Sequence, residues 1–217
     1  MKAIVLAAGR GSRMGDLTSK QPKCRTVFKG KQLFNWQLIS LQQAGINDIA
    51  VVRGYLKETF IEPLTYFENA RWFATNMVMS LASAGEWLSK DDCIISYSDI
   101  VFSVNAVKRL ADAEGDIVIT YDPNWFELWK IRFEDPLSDA ESFEIDSEGV
   151  VIDIGRKVKS LSEINGQYMG LTKISPKGWL IIKSHLDELN GGEQDQMDMT
   201  SLFQYLIRKG VVIHSVS

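Results

Sequence analysis

The run Gly9-Arg10-Gly11-Ser12-Arg13-Met14-Gly15, followed at a short distance by Lys20 and Lys23, gathers three glycines and four cations just after an apolar segment. Glycines let a backbone approach a ligand closely, and mobile cations beside them neutralise an anion, so the stretch has the chemistry of a phosphate cradle. Its spacing is GxGxxxG rather than the GxGxxG of dinucleotide-binding turns, and no Gly-Lys-Ser/Thr follows as a P-loop needs. The same residues would also suit a solvated turn with ordinary surface cations. A second chemical feature is Asp99, at the end of an apolar run, a hard oxygen donor of the kind Mg²⁺ takes. A third is the aromatic stretch of Trp125, Trp129 and Arg132, with Asp195 and Asp198 further on. An aromatic face plus carboxylates is what an ammonium group needs, although those tryptophans would equally suit sheet core or a dimer surface.

The elements that must carry these residues alternate between short strands and helices, the pattern of a three-layer α/β fold with a mostly parallel, Rossmann-like mixed sheet. Residues 2–8 read as a buried parallel strand whose C-terminal end opens into the glycine loop, the usual ligand edge of such a sheet. A helix is predicted over 33–44 with Leu33, Trp36, Leu41 and Ala44 near one face and Gly45 as its stop, then a strand over 49–52. Residues 76–88 read as one helix with Met77, Leu81, Ala84 and Leu88 on a stripe, and 93–97 as a strand that places Asp99 at its end. A helix over 104–113, a strand over 117–121 and two antiparallel strands within 142–154, around Asp146-Ser147-Glu148-Gly149, follow. Ser175-Pro176 opens a helix toward Leu189, and a helix over 200–209 closes at Gly210 before a strand over 211–216. The organisation expected is one domain, more antiparallel over 123–217 than over 1–122.

Composition narrows the function. The 217 residues are 45% hydrophobic and carry a net charge of −4, which leaves no footprint for nucleic acid or an anionic membrane. Two cysteines, Cys24 and Cys93, make no disulfide framework, and no apolar run approaches the roughly 18 residues of a membrane span, so a cytoplasmic address is expected. His185 and His214 lie far from the glycine loop in sequence and read as structural or surface groups, and Cys24 as a small packed residue.

The segments "LAAGRGSRMG" and "SKQPK" together resemble the L-A-A-G-x-G-[ST]-R-[ML]…PK signature of the nucleotidyltransferases that make nucleotide-diphospho sugars and CDP-choline. The likeness continues through "GINDIAVVRGYLKE", "NMVMSL" and "IISYSDI". The N-x-x-x-S-L segment and the later "DPLSDAE" are most similar to small cytidylyltransferases acting on phosphocholine or aminoethylphosphonate. The resemblance implies a CTP-dependent enzyme that transfers CMP to a small phosphorylated or phosphonate acceptor and releases pyrophosphate. A phosphorylated amino acid of the kind used in capsule and other cell-surface polysaccharide decoration would also suit. It implies that Leu6, Ala7, Ala8, Gly9, Gly11, Ser12, Arg13, Lys23, Asn76, Ser80 and Ser98 surround the nucleotide. Arg13 would grip the leaving pyrophosphate, Lys23 would bridge the α-phosphate and the incoming oxygen, and Asp99 would hold Mg²⁺. Trp125, Trp129, Arg132, Asp195 and Asp198 would meet the acceptor, and exposed aromatics would suit a homodimer. Members of the family commonly place a second metal aspartate in a W-x-E-I-D-like segment after the last strand, which this sequence lacks before Ser217. Either the chain is truncated or the metal is held differently. A sugar-1-phosphate enzyme using UTP or dTTP, and a nucleotide-binding module without catalysis, share the opening signature.

Overall fold

The computed structural model of the chain describes residues 1–11, 15 and 18–217. In chain order the strands are β1 (Lys2–Ala7), β2 (Val27–Phe28), β3 (Lys31–Gln32), β4 (Ile49–Arg53), β5 (Thr65–Glu68), β6 (Cys93–Tyr97), β7 (Ile117–Asp122), β8 (Glu141–Ile145), β9 (Val151–Lys157), β10 (Gln167–Ile174) and β11 (His214–Val216). The helices are α1 (Leu33–Gln43), α2 (Met77–Ala82), α3 (Gly85–Leu88), α4 (Val104–Asp112), α5 (Trp125–Arg132), α6 (Pro176–Leu186), α7 (Gly191–Gln196) and α8 (Met199–Arg208).

Seven strands form the central sheet in the order β11-β7-β10-β6-β1-β4-β5. β1 lies parallel to both β4 and β6, so its residues are buried on both faces and read as a continuous apolar run. Alternation still sorts them: Ala3, Val5 and Ala7 pack with Phe34 and Leu41 of α1 and Val107 and Leu110 of α4, while Ile4 and Leu6 join Val78, Trp179, Leu202 and Phe203 on the other side. Three layers result, as expected. β10 enters antiparallel between β6 and β7, and β8 pairs β9 antiparallel in a separate ribbon, which makes the second half the less parallel one.

Three local expectations need correction. The buried face of α1 is Phe34, Gln37, Ser40 and Leu41 rather than a stripe through Leu33 and Trp36, because two polar residues on that face find partners inside. The helix expected over 76–88 is two helices, divided where Ser83 Oγ bonds back to Met79 O at 3.0 Å and Ala84 leaves helical geometry. The stripe of Leu81, Ala84 and Leu88 is nonetheless buried. The last strand begins only at His214, since Val211 N still donates to Leu206 O at the end of α8. Among the described residues no helix is long and apolar enough to cross a membrane.

Candidate active site

Parallel strands β1 and β6 end side by side, and the loops leaving them enclose a cleft of about 360 Å³ lined by Leu6, Gly9, Gly11, Lys23, Asn76, Met77, Tyr97, Ser98 and Asp99. The glycine loop is tied at both ends. Tyr55 N donates to Ala8 O (2.9 Å), Thr18 Oγ1 donates to Gly11 O (3.2 Å) and Gly15 O (3.3 Å), and Tyr55 Oη donates to Ser19 O (2.8 Å). Gly11 has φ +68°, and a Cβ there would sit 3.3 Å from Lys23 Cβ and Cδ, so glycine lets the lysine stem lie across the loop. Lys23 Nζ ends in an ion pair with the Asp99 carboxylate, joining the two residues expected to handle phosphate and metal. Ser12 and Arg13 lie outside the described residues. Ala7 and Ala8 are buried beneath the cleft, and Ser80 is turned inward, accepting from Asn69 Nδ2 at 3.1 Å rather than lining the cleft. Asn76 does line it and caps α2, its Oδ1 accepting from Met77 N at 2.8 Å.

Two buried networks position Lys23 and Asp99, and neither was anticipated. Lys23 begins a short 3-10 turn, Lys23–Arg25, in which Arg25 is held bidentately by Glu62 (2.5 and 3.0 Å) and donates to Thr59 O (2.9 Å). Its guanidinium also lies over the rings of Phe34 and Phe60, at 5.3 and 4.8 Å. The hydrogen bond from Arg25 holds the Glu62 carboxyl below the usual carboxylate range. On the other side, Gln37 Nε2 donates to Tyr97 O (2.8 Å) and Ile100 O (2.7 Å), and Ser40 Oγ to Phe102 O (2.8 Å). Helix α1 thereby fixes the loop that carries Ser98 and Asp99. The signal available in sequence was Gln37 and Ser40, two polar residues among the apolar side chains of one helix face.

A second cavity, of about 320 Å³, opens beside the first and shares Met77 and Tyr97 with it. Its other walls are Glu141, Ser142, Phe143, Ile154, Gln167, Tyr168, Asp198 and Thr200, a set with two carboxylates, several rings and no cationic side chain. Asp198 caps α8, accepting from Ser201 N at 2.8 Å and from Thr200 Oγ1 at 3.3 Å. Gln167 clamps the Glu141 backbone, donating to its O (2.6 Å) and accepting from its N (3.2 Å). Burial first, and then the neighbouring Asp198 charge, push the Glu141 carboxyl above its ordinary range. A cation placed between the two acids would relieve that repulsion. The cavity draws on both halves of the chain, because Met77 and Tyr97 come from the first.

Of the residues expected at the acceptor, Asp198 alone lines this cavity. Trp125 is buried with Ala140 and Ile164 in a small cluster of its own, against which Trp129 packs, because residues 125–132 form a helix within the β7–β8 connection that turns them onto it. Arg132 stacks over Trp129 and Phe133 at 5.1 and 5.2 Å. Asp195 pairs with Arg71, and its carbonyl accepts from Asn76 N at 2.7 Å. The cavity is lined instead by Glu141, Tyr97 and Tyr168, brought in from β8, β6 and β10. Burial pushes the thiols of Cys24 and Cys93 up to about 12, consistent with packed rather than nucleophilic groups. His185, half-buried on α6, lies 3.3 Å from Glu188, and the His214 ring packs against Gly115; neither lines the cleft.

Asp99 is the one carboxylate among the described residues lining the cleft, a hard oxygen donor already paired with Lys23. Among the described residues no group of three or more His, Cys, Asp or Glu side chains could hold a metal by itself, so Asp99 would act with phosphate oxygens of a ligand, an ordinary arrangement for Mg²⁺.

The MobA-like NTP transferase domain matches residues 3–172. The CTP:phosphoglutamine cytidylyltransferase of Campylobacter jejuni is 37% identical over 226 residues, spanning 96% of this chain and 89% of the relative. A 2-aminoethylphosphonate cytidylyltransferase of Lancefieldella rimae is 33% identical over 46% of this chain and 44% of its own length. In fold, the chain is similar to the inositol-1-phosphate CTP transferase of T. maritima, with TM-score 0.75 and 20% identity over 99% of this chain and 84% of that one. It is similar also to the CTP:phosphocholine cytidylyltransferase of Streptococcus pneumoniae, with TM-score 0.71 and 21% identity over 99% and 88%.

Proposed function

Because the chain belongs to the MobA-like NTP transferase family, we propose that it transfers CMP from CTP to a small phosphorylated or phosphonate acceptor bearing an ammonium group, with release of pyrophosphate. A phosphorylated amino acid such as phosphoglutamine is the first acceptor to test. The observation that carries this reading is the pair of adjoining cavities. One holds Lys23 and Asp99 beneath a glycine loop, and the other is acidic and aromatic, with Met77 and Tyr97 between them.

An acceptor phosphate oxygen is already an anion near neutral pH, so it attacks the α-phosphorus without a general base. The new bond forms between that oxygen and the α-phosphorus while the bond from the α-phosphorus to the bridging oxygen breaks, and pyrophosphate leaves. Two anions must be brought together in line. Catalysis is therefore positioning plus fixed positive charge that meets the transition state better than the separate ligands. Lys23 supplies that charge, its stem braced on Gly11 and its turn anchored by Arg25, and Arg13 would meet the departing phosphates. Asp99 would hold Mg²⁺ against the phosphates, and the ion would supply Lewis-acid neutralisation of their charge. In the second cavity Glu141 and Asp198 draw the ammonium group in, which aims the acceptor's phosphate back past Tyr97 toward Lys23.

Pyrophosphate release across a panel of nucleotides and phosphorylated acceptors, with Mg²⁺, tests the reading. CTP with phosphoglutamine or another ammonium-bearing acceptor should give release. Release only with UTP or dTTP and a sugar 1-phosphate would replace this function with the sugar-nucleotide one. Nucleotide binding without release in any pair would leave a non-catalytic module.

A further inference from the structure

Met77 and Tyr97 are the two residues that line both cavities, and the chain goes to some length to seat the Tyr97 ring. Strand β10 shifts register between Tyr168 and Thr172, and Gly170 inside that irregularity has φ +78°. A Cβ at Gly170 would lie 2.7 Å from Cδ2 of Tyr97, so the ring lies directly on glycine backbone, in the space a side chain would fill. The edge-on ring of Tyr168, with centroids 5.8 Å apart, closes a second side. The Tyr97 carbonyl is fixed by Gln37 Nε2 (2.8 Å) and Ser96 Oγ (2.8 Å). Backbone and ring are thus both immobilised at the border of the two compartments. A wall held this firmly fixes how far apart the two ends of a bridging molecule can be.

We propose that Tyr97, seated on Gly170, is a specificity-determining residue that gauges the length of the acceptor between its phosphorus and its ammonium group. The inference rests on the cytidylyltransfer reading of the paired cavities. An acceptor must reach from the Lys23 side to the Glu141 and Asp198 side past a ring that cannot yield, so one chain length fits and its neighbours place the phosphate oxygen wrongly. Because misplacement acts on the reaction more than on overall binding, the discrimination should appear in kcat/KM ratios rather than in CTP affinity.

The test compares two homologous acceptor pairs, phosphoglutamine against phosphoasparagine and 2-aminoethylphosphonate against 3-aminopropylphosphonate, by pyrophosphate release. Each pair differs by one methylene, for which a fitted site discriminates by about 10- to 200-fold. The wild type should show a ratio of that order for at least one pair. Tyr97→Phe, which keeps the ring, should retain the ratio. Tyr97→Ala, which merges the compartments, should compress it to within about threefold whatever happens to absolute rate. Gly170→Ala, which displaces the ring without touching a ligand, should also alter it. Thermal unfolding checks that each variant is folded, and Tyr97→Leu stands in if the alanine variant is not. A wild-type ratio within threefold for both pairs, or a wild-type ratio kept by the folded Tyr97→Ala or Tyr97→Leu protein, overturns the inference while leaving cytidylyltransfer intact. A wild type that turns over none of the four acceptors overturns this inference together with the ammonium-bearing acceptor class beneath it.

Discussion

Replacing Glu62 by glutamine should destabilise the protein and slow catalysis by one cause, the loosening of the turn that carries Lys23. The side chains of Arg25 and Glu62 are 9% and 22% exposed, so the pair is largely desolvated. A glutamine amide of the same shape keeps one acceptor oxygen, loses the second hydrogen bond and leaves the Arg25 charge without its counter-ion. Removing one partner of a buried pair costs about 3–5 kcal/mol, which the surviving amide bond and the two ring faces over Arg25 reduce to roughly 2–4 kcal/mol here. For a chain of this size that is roughly 5–12 °C in Tm. The pH dependence has a definite sign. The Glu62 carboxyl is depressed below its usual range in the folded protein, chiefly by the Arg25 hydrogen bond. Its contribution is therefore complete above the unfolded carboxylate pKa of about 4.3, and is lost as pH falls through the lower folded value. Denaturant titrations of the wild type and Glu62→Gln at pH 7 and in steps down to pH 3 should show a gap that is full at neutrality and narrows in acid. Because Arg25 stands two residues after Lys23, kcat should drop by roughly tenfold or more in the folded variant. A gap under about 0.5 kcal/mol at pH 7, or one that does not shrink in acid, would refute the assignment of this pair as the anchor.

Lys23→Ala should lower kcat by at least about a hundredfold with a smaller effect on CTP affinity, since a fixed charge at the site of developing charge contributes several kcal/mol. Steady-state pyrophosphate release together with calorimetric CTP binding measures the two, and unchanged turnover would make Lys23 an ordinary loop cation. Asp198→Asn keeps an N-cap acceptor for α8 but removes a charge from the second cavity. The acceptor KM should rise roughly 10- to 100-fold at nearly constant stability and CTP KM. Trp129→Leu, outside the cavity, should leave acceptor KM within about twofold. The opposite pattern would return the acceptor site to α5.

What could be read in advance divides along a physical line. The strand, glycine loop and strand-end aspartate were legible because each is a local device. An apolar run buried on both faces marks β1 and β6, and parallel strands put their C-terminal ends on one edge, so Gly9, Gly11 and Asp99 had to converge. Turns and caps were equally local: Gly45, Gly149 and Gly210 all take positive φ where a stop or turn was expected, and Ser175 caps α6.

The second cavity was not local. Trp125 and Trp129 have the composition of a cation site, but composition cannot say which way a helix rolls, and α5 turns them onto Ala140 and Ile164. The cavity is instead assembled from α2, β6, β8, β9, β10 and the start of α8, segments up to more than a hundred residues apart whose meeting depends on β10 running antiparallel into a parallel sheet. The supports of the site were hidden for the same reason. Gln37, Ser40 and Arg25 look like surface residues until their partners, the Tyr97, Ile100 and Phe102 carbonyls and the Glu62 carboxylate, are known. By itself the sequence determined the class of sheet and the strand ends at which Gly9, Gly11 and Asp99 gather, because backbone geometry and burial periodicity are properties of short segments. Tertiary structure alone decided which acids and rings line the second cavity and what holds Lys23 and Asp99 in register, because a buried polar group is stable only beside a partner that chain order does not name.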